Sequence, residues 1–431
     1  MDSLNAPATV RLNDKKTINA WALFDWANSA FALVITVAIF PAYFTTVTAE
    51  TVSILGIEMS NSTLFAYAIS GSYLIIALFS PLLSGIADSG GKKKFFLQLF
   101  TTIGSIGCLS LFFYDHGSPV ALGVIGFMMG MIGFAGGLVF YNSYLPEIAT
   151  EDRYDSVSAK GFSYGYIGSV LLLCINLVII QKPEWFGLAD TGTLAARIAF
   201  LMVGLWWIGF ALIPFKILPA DPKRKLQKGL LASGINELKK VWNELKTQAN
   251  IKAFLFSFFC YSAGVQTILF LASIFAEKEL EFDAGKLIVV VLILQVVAII
   301  GAYVFAKVSE KLGNVTSIFI MLFIWVGICL LAYFVQNQDQ FYGVAASVGF
   351  VMGGIQSLSR STYSKLIPAE TEDTTSYFSF YDVVEKVAII VGTFSFGFIE
   401  QITGSMRISV LVLALFFIVS LLILTKVKVK S

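Results

Sequence analysis

Hydrophobic positions along this chain fall into twelve long blocks separated by short polar breaks, near residues 19–47, 63–86, 95–114, 119–146, 159–180, 193–218, 251–276, 284–306, 315–336, 341–364, 376–400 and 405–425. Each block supplies the roughly 20 apolar residues that one helix needs to cross a hydrocarbon core. None shows the alternation over about ten residues that marks a strand of an outer-membrane barrel. Backbone groups inside a bilayer have no water to bond, so runs of this length predict helices. The longest polar stretch, 219–250, separates six blocks from six. The expected fold is all-α integral membrane, with twelve transmembrane helices in two pseudo-symmetric six-helix bundles. The bundles occupy 19–218 and 251–425, with tails at 1–18 and 426–431 and the linker 219–250 between them.

Composition agrees, at 57% hydrophobic and 13% charged residues with a mean hydropathy of +0.79, far from the balance of a water-soluble domain. The formal net charge of +2 gives no reason to expect a nucleic acid partner. The partners expected are the lipid bilayer and a small-molecule solute, with a monomer as the oligomeric state. Residues 1–18 are polar and lead straight into a full-length span, without the short apolar region and small-residue cleavage site of a secretory leader, so a retained tail is expected. Cys108, Cys174, Cys260 and Cys329 lie singly inside spans and read as packing thiols.

Basic residues orient the spans. Arg11, Lys15, Lys16, Lys92, Lys93, Lys94, Arg153, Lys160, the linker lysines, Lys307, Lys311, Arg360, Lys365, Lys426, Lys428 and Lys430 fall on one side. The other side holds Lys182, Arg197, Lys278, Lys286 and Arg407. The positive-inside rule then places both termini and the linker in the cytoplasm, which an even number of spans satisfies. In the linker, Leu230, Ile235, Leu238, Val241, Trp242 and Leu245 recur at spacings of mainly three and four, as expected of a basic amphipathic helix on the inner leaflet. A solvated tether is the alternative.

Landmarks repeat at a fixed offset. Asp88 and Gly91 in "SGIADSGGKKK" correspond to Glu310 and Gly313 in "AKVSEKLGNV", each 222 residues on (310 − 88, 313 − 91), and Pro146 corresponds to Pro368 at the same offset. The second half thus reads as a diverged copy of the first in parallel orientation.

These residues carry a resemblance. "SGIADSGGKK", 84–93, resembles the loop signature of the major facilitator superfamily, with Gly85, Asp88, Gly91, Lys92 and Lys93 at matching positions and Ser84 where the pattern's first glycine stands. Glycines permit a tight turn and close helix approach, and Asp88 can accept from a helix N-terminus or a basic side chain to latch one conformation. The second copy, with Ala306, Glu310, Gly313 and Asn314 at those places, is degenerate, so the stronger latch is expected in the first half. "FDWANSAF", "YNSYLPEIA", "SVSAKGFSYGYIGSVLLL", "GGIQSLSRSTYSKLIP" and "FYDVVEKVAIIVGTFSFG" together resemble the branch of autophagy-related vacuolar amino-acid effluxers and their bacterial relatives. That resemblance implies a twelve-helix transporter and, for its yeast members, export of amino acids such as leucine. The compact loops favour a bacterial plasma-membrane protein.

Ionisable groups inside spans are expensive and mark functional sites or buried pairs. Asp25 in span one, Arg360 in span ten, and Asp382, Glu385 and Lys386 in span eleven are the gating or coupling candidates. Asp382 and Lys386, four positions apart, can meet on one helix face. Asp25 with Arg360 would pair across the two bundles, with Asp382 a competing partner, either as a gate or as a static packing pair. His116, the sole histidine, lies in "YDHGSP", expected as an external turn, so a proton carrier would have to be a carboxylate. Asn28, Tyr43, Tyr67, Asn142, Tyr144, Tyr164, Tyr166, Gln266, Gln295 and Gln356 are candidates to line a substrate cavity; interhelical hydrogen bonding is the alternative for each. "GFMMGMIGFAGG" and "GFVMGG" place glycines for close helix packing.

The expected function is secondary transport by alternating access, as an exporter of amino acids or small metabolites, with a proton-coupled drug or sugar carrier as the rival. A transport-inactive scaffold or sensor is the rival of another class. No cofactor or metal is expected beyond a proton or other ion gradient as the driving force. No enzyme is expected, since no nucleophile with a base, metal-ligand cluster or soluble domain is apparent, and "IADSGGKK" lacks the pattern of a phosphate loop.

Overall fold

The computed structural model describes residues 11–54, 56–188, 192–222, 230–282 and 284–428. Residues 1–10 of the expected N-terminal tail, linker residues 223–229 with Lys223, Arg224, Lys225 and Lys228, and 429–431 with Lys430 lie outside them.

The twelve hydrophobic blocks fold as helices. Span one starts as α1 (Lys15–Ala30), where the Asp14 carboxylate accepts from the Thr17 amide at 2.9 Å and hydroxyl at 2.8 Å, satisfying donors that the first turn leaves open. It continues as a π-helix over Phe31–Ile39 and finishes as α2 (Phe40–Val47), with Pro41 in the first turn. Proline has no N–H to give to the ladder, and π segments accompany functional sites in helices. A two-stranded antiparallel hairpin, β1 (Thr51–Ile54) with β2 (Ile57–Ser60), follows, with Thr51 opposite Ser60. The remaining first-half elements are α3 (Asn61–Gly90), α4 (Lys93–Leu111), α5 (Val120–Asn142), the single turn α6 (Leu145–Ile148), α7 (Tyr154–Gln181) and α8 (Leu194–Ile217). The linker forms α9 (Leu230–Thr247), and the second half forms α10 (Ala249–Leu280), α11 (Ala284–Leu312), α12 (Asn314–Phe334), α13 (Gln338–Leu366), α14 (Thr374–Thr403) and α15 (Met406–Leu424).

Among the described residues, eleven helical stretches are long and apolar enough to cross a membrane. The twelfth expected span is α14, a single helix of 30 residues that carries Asp382, Glu385, Lys386 and Glu400. Contacts group the chain into two units, residues up to Tyr144 with Tyr164–Ile235, and Leu145–Ser163 with residues from Asn236 onward. The start of α7 thus belongs to the second unit and its remainder to the first.

Glycines set the tightest helix contacts in each unit. In the first, a Cβ on Gly107 would lie 2.6 Å from the Gly126 carbonyl and 2.7 Å from the Gly130 amide, so α4 and α5 touch backbone to backbone. In the second, a Cβ on Gly349 would lie 2.5 Å from the Leu294 carbonyl, and Gly353 is pressed against Ala298 in the same way. An arginine at the start of the last helix ties down the lysine-poor end of each unit. Arg197 donates to Phe112 O at 2.6 Å and to Asp115 at 2.9 Å, over the Phe112 ring. Arg407 donates to Glu279 at 2.8 Å and to the Tyr333 and Val335 carbonyls, over the Phe275 ring. The Thr193 hydroxyl, 2.8 Å from Asp115, is the main influence holding that carboxyl below its ordinary pKa, with the His116 amide and Arg197 adding to it.

Candidate functional site

The loop signature is a joint between helices. Gly91 has φ +59°, ends α3 and gives its N–H to Ala87 O; its counterpart Gly313 also has a positive φ, +80°, a region open to glycine. Side chains at both Gly85 and Gly91 would collide with the linker, at Gly234 and Pro222 respectively. Asp88 is buried behind this joint. The amides of Lys94 and Phe95 in the next helix are capped by Asp221, at 2.7 and 2.9 Å. Lys92 gives its amide to Ala87 O, and Lys93 approaches Ser143 O at 3.5 Å and lies over the Tyr144 ring. The joint in this half thus includes the Asp221 cap on α4 as well as the signature glycines.

Asp25, 4% exposed, is held within the first unit. Its oxygens accept from Tyr141 Oη at 3.1 Å and Ser29 Oγ at 3.3 Å. One turn earlier Trp21 donates to Tyr141 O at 3.0 Å and stacks on the Tyr141 ring, so residues four apart on α1 address the same tyrosine. Asn28, three residues beyond Asp25, is fully buried and neither of its amide atoms has a hydrogen-bond partner among the described residues.

The second unit holds the other four candidates. Arg360, 3% exposed, donates to Ser158 Oγ at 2.9 Å and Ser158 O at 2.8 Å, and its guanidinium lies over the Phe162 ring at 4.2 Å. Ser158 in turn donates to Ser357 O at 2.7 Å. The expected Asp25–Arg360 pairing joins residues of different units, and each has partners of its own unit. On α14 the expected i,i+4 pair is present, with Lys386 Nζ 3.0 Å from Asp382 and 3.3 Å from Glu385. Gln266 donates to Glu385 at 3.1 Å. Asp382 Oδ2 is buried with no hydrogen-bond partner among the described residues. Asp382, Glu385 and Lys386 together carry a formal charge of −1, two carboxylates against one ammonium.

Of the remaining cavity candidates, Tyr144 is buried with its hydroxyl 3.5 Å from Pro219 O, while Asn142, Tyr164 and Gln356 are half-buried. Tyr43 donates to Tyr114 O, so its hydroxyl serves to tie helix ends together. Gln295 Oε1 is buried without a hydrogen-bond partner among the described residues, Tyr166 is buried, and Tyr67 is largely exposed. The sequence reading did not single out Asp155. This buried carboxylate accepts from Ser309 at 2.8 Å, Asn314 at 2.7 Å and Lys365 at 2.9 Å. Lys365 also donates to Asn314 Oδ1 at 2.7 Å. Asn314, in the second copy of the loop signature, thus joins a buried charged network with Asp155 and Lys365, while Glu310 is exposed.

A sequence profile of the family described as "Vacuole effluxer Atg22 like" matches residues 13–431. The chain belongs to this family. Among its relatives, the MFS-type transporter YxiO of Bacillus subtilis is 29% identical over 95% of this chain and 94% of its own. Autophagy-related protein 22 of Kluyveromyces lactis is 26% identical over 85% of this chain and 79% of its own. The fold matches that of the major facilitator superfamily transporter FucP in its outward conformation, at TM-score 0.71 and 14% identity over 95% of this chain and 99% of FucP. The human organic anion transporter MFSD10 matches at TM-score 0.70 and 11% identity, over 96% and 100% of the two chains. The Atg22-like chain is a multi-pass secondary transporter with the major facilitator fold.

Proposed function

We propose that this Atg22-like transporter exports amino acids or similar small amphipathic metabolites by alternating access, driven by a proton or other ion gradient. The observation that carries the reading is the α14 cluster, where a buried carboxylate oxygen of Asp382 has no partner in a group of formal charge −1. A net charge in a low-dielectric interior is costly. A proton, or the ammonium of a zwitterionic solute, relieves that cost on arrival, which couples binding to the charge state of the helix. Asn28, with both amide atoms buried and open, adds a donor and an acceptor suited to a polar headgroup. The family description as an effluxer supports the direction of transport. The Bacillus relative supports a bacterial plasma membrane, and the lysine distribution supports cytoplasmic termini.

The test is efflux from proteoliposomes loaded with a panel of labelled amino acids, with and without an imposed pH gradient, comparing wild type with Asp382→Asn and Asp25→Asn. Saturable efflux that the gradient accelerates and Asp382→Asn uncouples is the expected result. Efflux no greater than from protein-free vesicles for every amino acid would remove the reading.

A further inference from the structure

We propose that the lysines around the α9–α10 junction and the chain's C-terminal end form a binding surface for anionic phospholipid headgroups of the inner leaflet. The sequence reading offered two places for α9, its apolar face on the inner leaflet or a solvated tether. In the structure Val241 and Leu245 of that face are buried against protein, while Ile235 and Trp242 stay about half exposed. The acidic flank is spent as well, with Lys240 bound to Glu237 at 3.0 Å and Asp373 at 2.5 Å, and Glu244 accepting from Tyr377 at 2.7 Å. What remains outward is a stripe of Lys239, Trp242 and Lys246, whose spacing of three and four puts them on one side of the helix. Trp242 is half exposed, stacks on Phe380 at the start of α14, and has the Lys246 ammonium over its ring at 5.0 Å.

More lysines come to the same place. Asn250, two residues into α10, bonds the backbone of Lys428 on both sides, accepting from its amide at 2.8 Å and donating to its carbonyl. That contact ties the backbone of Lys428 to the first turn of α10, the turn that also carries Lys252. Two of these lysines stand at headgroup depth by their own helices. Lys252 is one turn before Phe256, which is 57% exposed, and Lys426 lies four residues after Leu422, which is 67% exposed. Large apolar side chains exposed on a span face lipid, and a lysine one turn toward the end reaches the interface. Tryptophan prefers that depth too. Lys239, Lys246, Lys252, Lys426 and Lys428 have no carboxylate partner among the described residues. About four to eight basic residues beside a span attract anionic lipid at the cytoplasmic surface.

The full chain in mixed micelles is titrated with phosphatidylglycerol or phosphatidylcholine, and retained lipid is counted by native mass spectrometry. Wild type is expected to keep phosphatidylglycerol at a lipid concentration at least tenfold below that needed for phosphatidylcholine. The variant K246Q/K252Q/K426Q/K428Q should lose the preference, and K15Q/K16Q, which removes exposed lysines elsewhere, should retain it. Equal retention of the two lipids by wild type, or an unchanged preference in the fourfold variant, would overturn the proposal. Should the fourfold variant fail to fold, the Trp242 emission, taken as the difference between wild type and Trp242→Phe, decides. Brominated phosphatidylglycerol should quench it more than brominated phosphatidylcholine, and equal quenching refutes the assignment.

Discussion

Removing the Asp155 carboxylate tests whether the buried charged cluster of the second unit is a single coupled network. In Asp155→Ala the Lys365 ammonium, 11% exposed, keeps one bond to Asn314 Oδ1. Ser309 still donates to Ala306 O at 2.8 Å, and Asn314 still reaches Thr362 at 3.0 Å. The loss therefore concentrates on one stranded cation, at the lower end of the 3–5 kcal/mol for breaking a buried pair, about 3 kcal/mol. At roughly 2–4 °C per kcal/mol for a unit of this size, the melting midpoint should fall by roughly 6–12 °C. Lys365→Met strands the carboxylate instead, but leaves it the Ser309 and Asn314 donors, so its loss should be smaller, about 2 kcal/mol. The double variant removes both charges and should be less destabilised than the sum of the singles by at least about 1.5 kcal/mol. Midpoints can be read with a thiol-reactive fluorogenic dye in a Cys174→Ser background, because Cys174 is exposed while Cys108, Cys260 and Cys329 are buried and become reactive on unfolding. Strict additivity of the two substitutions would refute the network.

Three further outcomes follow from other parts of the molecule. Gly85→Ala should destabilise by about 1–3 kcal/mol because the new methyl meets the Gly234 carbonyl, whereas Gly137→Ala, whose Cβ would have its nearest neighbour at 3.8 Å, should leave the midpoint unchanged; equal effects in thermal melts would refute the close-contact argument. Asn28→Leu relieves an unpaired buried amide and should hold or raise the midpoint while raising KM for the exported solute, and a lower midpoint with unchanged KM would remove Asn28 from the solute site. Asp115 has its pKa depressed, first by Thr193, so its contribution is complete above the ordinary aspartate pKa of about 3.9 and fades as pH falls through its lower folded value; melts between about pH 5 and pH 3 should show a smaller acid-induced drop in Asp115→Asn than in wild type, and parallel curves would refute this.

The bilayer explains what was legible in the chain. A hydrocarbon slab dictates the length and polarity of every span, so the twelve blocks read directly as helices, and a charge within a block stood out at Asp25, Arg360, Asp382, Glu385 and Lys386. The Asp382–Lys386 pair was readable because both residues share one helix and its period. What escaped the sequence reading depends on elements far apart in sequence or on deviations too small for a hydropathy window. The Tyr141 hydroxyl on Asp25 lies 116 residues away, the hairpin has only four residues per strand, and the π-helix sits inside an unbroken apolar run. Asp155 was hidden because an acid at the edge of a block looks like ordinary solvated charge. Asn314 shows the same limit most sharply. Measured against the superfamily pattern it is a lost arginine, and the second loop looked degenerate. Its amide nevertheless donates to Asp155 and accepts from Lys365, the two tasks that a neutral side chain with both a donor and an acceptor can perform between opposite charges and that an arginine, with donors alone, cannot. The cation that meets Asp155 is Lys365, one helix on from Asn314, and the 51 residues between the two hide from a sequence reading that they belong to one network.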